Sequence, residues 1–284
     1  MSKKYSAPEL QTMMTGLAIG ESPRWHDGRL WFSDWGAQEV VAVDLKGNSE
    51  VVVRVPSFPF SIDWLPDGRL LVVSASDRLL SRREADGALV AHANLASLSD
   101  KPWNEIVVEG RGNAYINNIG FDMMAGEEVA TGIIGLVTAD GSVQQVADGI
   151  EFPNGMAVTP DNSTLILAES YGKRLTAFDI EADGGLSNRW VWADLDDGVP
   201  DGICIDAEGA VWYGDVPNKR CVRVREGGEV LQTIGLDRGC FACMLGGVDK
   251  KTLFLMANEW PMADGARTGQ VMTARAPAPG VGWP

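Results

Sequence analysis

Four oxygen-bearing side chains recur at one place in a repeating pattern. Asn154 stands about seven residues before Asp161, Asp201 about seven before Glu208, Asn104 about seven before Arg111, and Glu21 about six before Asp27. Each lies where a turn gives way to an apolar run. Two further copies of the pattern carry Phe60 and Ala242 at that place. Two carboxylates and two amides, with no Cys or His among them, form a hard donor set. Calcium suits it best, magnesium or manganese can substitute, and zinc is held less specifically. Taken singly, such residues cap strands or form Asx turns; their shared register is what favours a cation.

The elements that must position them repeat as well. The unit is a short apolar strand, an Asp-Gly-like turn, a second strand, another turn and a third strand closing on an acidic turn. It reads "SPRWHDGRLWFSDWGAQEVVAVDLKG", then "SIDWLPDGRLLVVSASDRLLSRREADG", then "EIVVEGRGNAYINNIGFD" with "GIIGLVTADG" after an insertion. It returns as "GMAVTPDNSTLILAESYGKRLTAFDIEADG", "GICIDAEGAVWYGDVPNKRCVRVREGG" and "CMLGGVDKKTLFLMANEWP" followed by "GQVMTARAP". About six copies at a spacing of about 40–50 residues predict a six-bladed β-propeller of four-stranded antiparallel blades around a central channel. A pair of β-sandwiches is the rival, and the regular period argues against it. In a propeller the equivalent innermost positions converge on one end of the channel, which would bring Glu21, Asn104, Asn154 and Asp201 together.

Composition narrows the function. The 284 residues carry a net charge of −15, which repels nucleic acid and anionic lipid and is compatible with binding a cation. The 33 glycines fall mostly in turns, as many short strands require. The N-terminal "MSKKYSAPELQTMM" has no apolar stretch behind its lysines, and no stretch approaches a membrane span; a cytoplasmic protein is expected. "GCFAC" (Cys240, Cys243) lacks the second pair or histidines of a zinc site, so Cys204, Cys221, Cys240 and Cys243 are expected as buried, reduced thiols. His26 and His92 neighbour no nucleophile elbow, which disfavours a triad hydrolase. Trp31, Trp64, Trp190, Trp192 and Trp212 sit in strand repeats and are expected in the blade core. The insertion Phe121–Gly132 is a candidate lid with Met123 and Met124 facing substrate, and 276–284 reads as a tail, docked or loose, without helix or strand pattern.

Four segments in this order resemble the SMP-30/gluconolactonase/luciferin-regenerating-enzyme family: "GESPRW" (20–25), "FPNGMAV" (152–158), "VPDGICID" (199–206) and "FACMLGG" (241–247). The resemblance spans almost the whole chain. It implies a six-bladed propeller with one divalent cation in the channel, ligated at Glu21, Asn154 and Asp201, and Asn104 in the metal and substrate shell. Pro102 stands where regucalcin-like sugar lactonases carry an Arg, with Lys101 beside it, so a more apolar lactone or ester than a sugar lactone is expected. The implied activity is metal-dependent hydrolysis of a small-molecule lactone or related ester, with Asp201 as general base. Asn104 and Asn118 would orient the substrate, while Trp103, Phe60 and Tyr171 would shape its pocket. Phosphotriester hydrolysis, a biosynthetic isomerisation or cyclisation on the same cation, and a non-enzymatic calcium-binding propeller are the alternatives.

Overall fold

The computed structural model describes residues 9–263 and 265–283; Met1–Pro8, which include most of the N-terminal segment, and Pro284 of the tail lie outside it. Its described elements are strands and one short 3-10 turn, Leu95–Ser97. They assemble into six antiparallel blades, as the repeat predicts. The innermost strands are Gly20–His26, Phe60–Trp64, Trp103–Val108, Pro153–Val158, Pro200–Asp206 and Gly239–Gly246. Blades one to five each take four consecutive strands from the chain. The sixth takes three, and its outermost strand is Gln11–Leu17, paired antiparallel with Gly269–Arg275. The first long strand of the described residues and the last are thereby joined in one sheet.

Both faces of each blade are apolar because each packs against a neighbour. In Arg174–Ile180, Leu175 and Ala177 join a cluster with Ile203, Val211 and Tyr213 of blade five. Phe178, of opposite parity, joins Val107 and Tyr115 of blade three. Period-two alternation sends successive side chains to opposite faces, so one strand serves two interfaces. The tail is docked: Gly280–Val281 pairs with Ile205 and Asp206 on the inner strand of blade five, and Trp283 bridges to Val158. Its two-residue strand is too short to leave an alternation in the sequence.

The start of the inner strand is irregular in five blades. Residues 104 and 105, 154 and 155, and 201 and 202 each place two residues opposite one partner. Blade one has its irregularity between Glu21 and Arg24, and blade six between Cys240 and Ala242. Blade two is regular from Phe60 to Trp64. Such β-bulges re-aim side chains, and here they lie where the oxygen donors stand.

Candidate functional site

The bulges gather acidic groups at one end of the channel. Glu21 and Glu105 are buried, and Asp201 is half-buried. Burial pushes the Glu21 carboxyl well above the usual carboxylate range, and the charges of Asp201 and Glu105 push it the same way. Burial does the same to Asp201, reinforced by Glu105 and opposed by a side-chain hydrogen bond from Asn154. Glu105 is raised by burial against the pull of Arg24 and a hydrogen bond with Ser22. Glu21, Asn154 and Asp201, expected to converge from three distant parts of the chain, are therefore neighbours, with Glu105 beside them.

What separates this cluster from other buried acids is satisfaction. Asp34 accepts the Ala18 and Ile19 amides at 3.1 and 3.0 Å. Glu169 receives Arg174 and Arg189, each at 2.9 Å. Asp215 receives Arg220 at 2.8 Å and Asp206 receives Arg223 at 2.7 Å. Asp63 takes the Val108 and Trp64 amides at 2.7 and 2.8 Å and faces Arg24 Nε at 3.7 Å. In contrast, among the described residues Asp201 Oδ1 and Glu105 Oε1 are buried with no hydrogen-bond partner, and Glu21 accepts only the amide of Ser22 at 3.1 Å. Unpaired buried carboxylates are costly, and like charges close together cannot all stay ionised without a proton or a cation between them.

Glu105 escaped notice in the sequence because its neighbour Asn104 aligned with the other donors; its clue was the adjacent polar pair at the start of an apolar run. It is held by Arg24, whose Nη2 lies 3.4 Å from Glu105 and donates to the Ile106 carbonyl at 2.5 Å. Asn104 is buried and donates to the Pro153 carbonyl at 3.4 Å. Its own carbonyl accepts the Ser61 hydroxyl. Asn118 is buried, its Nδ2 unpartnered among the described residues, while its Oδ1 takes the Gly120 amide at 3.1 Å.

Two expected pocket residues lie elsewhere. Trp103 and Phe60 are fully buried within hydrophobic clusters: Trp103 packs with Leu65, Leu95 and Ile116, and Phe60 with Trp31, Ile62 and Val72. The ladder explains it. Phe60 pairs with Ser74 as Trp103 does with Asn118 and Pro153 with Glu169. The residue of blade two that matches Asn104 and Asn154 is thus Ser61, one place on. Ala242 also leaves the ring. The irregular residue of blade six is Phe241, whose ring meets Trp260 at 5.9 Å, and Ala242 lies under the Gly202 backbone.

At the rim, Tyr171 is half exposed and its ring lies 4.5 Å from Phe152, which in turn meets Phe121 at 5.9 Å. The insertion after Phe121 is tied to the start of blade three by an ion pair from Lys101 to Glu127 at 2.8 Å. Met123 and Met124 on it are exposed. The four cysteines are free and buried, with Cys204 and Cys243 sulfurs 3.9 Å apart. His26 stacks on Trp64 at 4.3 Å, and burial lowers its pKa and that of His92.

Among the described residues no group of three or more His, Cys, Asp and Glu is disposed as a ready metal cage. The donors expected here are of another kind, carboxylate and amide oxygens together. They fit a hard cation on two counts: the orphaned Asp201 oxygen, and the mutual repulsion of Glu21 and Asp201 that a cation would relieve.

The sequence profile described as the SMP-30/Gluconolactonase/LRE-like region matches residues 19–258. Regucalcin from Danio rerio is 29% identical over 84% of this chain and 82% of its own length. Pentonolactonase XacC from Haloferax volcanii is 24% identical over 70% of this chain and 67% of its own. The solved structure of a calcium-binding protein, regucalcin, from Agrobacterium tumefaciens superposes with a TM-score of 0.79 at 22% identity, covering 98% of this chain and 97% of that one.

Proposed function

The chain belongs to the SMP-30/gluconolactonase/LRE-like family, and from that premise we propose that it hydrolyses a lactone or related ester with the help of one divalent cation, most suitably calcium. The observation that carries this reading is Asp201, a carboxylate with one buried oxygen unpartnered, set beside a second buried carboxylate. Relatives named for lactone hydrolysis and for calcium binding support it.

Glu21, Asn154 and Asp201 would hold the cation. When bound, it polarises the substrate carbonyl and offsets the charge of the tetrahedral oxyanion. With one oxygen turned to the cation, Asp201 would keep its other oxygen to take a proton from an attacking water. The proton then passes to the departing ester oxygen, so that the C–O bond breaks to give a hydroxy acid. The unpartnered Nδ2 of Asn118 can donate to the substrate, and Asn104, stitched between blades two and four, is placed to fix its neighbour's position. Glu105 adds negative potential, and Arg24 anchors it.

Substrate selection follows from the rim. Pro102 offers no cation, and Lys101 is engaged with Glu127. Phe121, Phe152 and Tyr171 offer an apolar, aromatic wall. The proposed substrate is accordingly a lactone or ester with an apolar body. The test is hydrolysis of an aryl- or alkyl-substituted lactone panel alongside a sugar lactone, with and without chelator. Chelation and Asp201→Asn should each lower turnover by about 10²–10⁴-fold. Turnover that survives both would rule the mechanism out.

A further inference from the structure

At the end of the channel opposite the acidic cluster, the inner strands of blades one, two, five and six finish around a cavity of about 360 Å³. The tail Gly280–Trp283 forms one wall. Trp25, Trp64, Trp283 and Met244 supply apolar surface, and Arg24 and Lys250 supply charge. Arg24 is 4% exposed. Its Nη atoms are used; its Nε is ion-paired with Asp63 at 3.7 Å but, among the described residues, makes no hydrogen bond.

The spare hydrogen-bonding capacity here consists of donors. The acids in the lining, Asp63 and Glu109, are already satisfied: Asp63 by two amides, and Glu109 by the Arg111 and Asn113 amides at 3.0 and 3.2 Å and Arg111 Nε at 2.9 Å. Lys250 is exposed and its ammonium makes no ion pair among the described residues. The cavity shares His26, Trp64 and Gly68 with a neighbouring cleft of about 400 Å³ that holds Arg29, Arg69 and Arg83. Arg83 Nε there is likewise buried without a partner. Arg29 pairs with Glu50 and Arg69 with Asp67, and Asp27 and Glu84 also line that cleft, so on a molecule of net charge −15 the basic groups left outside ion pairs at this end, among the described residues, are Lys250 and Arg83. A ligand that fills such a space must bring acceptors and a flat apolar body.

We propose that this cavity is a second ligand site, distinct from the acidic cluster, for a small aromatic monocarboxylate. Its carboxylate would meet Arg24 Nε and Lys250, and its ring the tryptophans. Neither the cation nor the hydrolase reading is needed for it.

The experiment titrates the full-length protein with benzoate, benzamide and benzylammonium at fixed ionic strength, following tryptophan fluorescence and confirming stoichiometry by calorimetry. Benzoate should bind saturably at one site, and benzamide about tenfold more weakly for want of a charge-assisted hydrogen bond. Benzylammonium should not bind. Lys250→Met should weaken benzoate severalfold and leave benzamide unchanged. Trp283→Ala, at an exposed position, should weaken both while the melting temperature is kept. The proposal is overturned if benzoate does not saturate, if benzylammonium binds as well as benzoate, or if neither variant alters benzoate binding. In the last case the site bound would be another, and competition with lactone turnover would locate it at the acidic end.

Discussion

At the scale of single residues, the cluster makes a claim about protons. Glu21 has its folded-state pKa raised by burial and by the charge of Asp201, and Asp201 has its own raised by burial and by the charge of Glu105. The cation-free folded protein therefore holds more protons than the unfolded chain once pH passes the ordinary carboxylate value of about 4. Stability then falls as pH rises, because the slope follows the protons bound by the unfolded state minus those bound by the folded one. Acids held low by arginine, such as Asp249 at about 2 beside Arg275, contribute the opposite slope, but theirs is complete below that window. Chelated protein is expected to melt progressively lower from about pH 5 to pH 8. Calcium should reverse the loss. Asp201→Asn should flatten the dependence, raise the melting point of the chelated protein at pH 8, and abolish the calcium-induced gain. Scanning calorimetry across pH checks all three, and a chelated protein as stable at pH 8 as at pH 5 would contradict the account.

At the scale of elements, the sequence made the repeat and most of the ring readable, because Asn-Gly, Asp-Gly and the apolar runs mark where each inner strand begins. What it concealed was register. The bulge is a property of two strands, and no single run of residues declares it. Blade two lacks one, so counting back from its turn reaches Phe60, a core residue, one place short of Ser61. Trp103 illustrates a related point: an aromatic next to a donor looks the same in sequence whether it faces the channel or packs in a blade cluster, as Trp103 does. Glu105 needed the third dimension too. The glycines following Asn154 and Asp201 acquire a reason here: a Cβ on Gly155 would lie 2.6 Å from the Asp201 carbonyl oxygen, and one on Gly202 would lie 2.4 Å from the Ala242 Cβ. Adjacent inner strands touch at the site, and glycine lets them. Gly155→Ala and Gly202→Ala should each cost about 1–3 kcal/mol by overpacking. Because the backbone pushed aside carries Asp201, they should also weaken calcium binding. A variant that loses stability with unchanged calcium affinity would separate the packing from the site.

At the scale of the whole molecule, a ring of six blades holds a fixed geometry at its axis only if the ring is closed. The chain closes it by lending Gln11–Leu17 to the sixth blade, through pairs running from Gln11 with Thr273 to Leu17 with Gly269. Leu17 is buried in the cluster that joins blades five, six and one. Asn258 donates to the Ala18 carbonyl at 2.8 Å and Arg267 to the Gly16 carbonyl at 2.7 Å, fastening the crossing point. Glu21 follows only four residues after Leu17, so the ligand from blade one hangs directly from this seam. A variant beginning at Ala18 loses the burial of Leu17, worth about 2 kcal/mol, together with a strand's ladder, and exposes the edge Gly269–Arg275 to other chains. Its melting temperature should drop by roughly 10 °C or more, at about 2–4 °C per kcal/mol for a chain of this size. It should also associate as concentration rises, and its calcium affinity should fall although every proposed ligand is still present. Calorimetry, sedimentation and calcium titration on the shortened chain test this together. An unchanged melting point with full calcium affinity would mean that the five complete blades hold the axis without the seam.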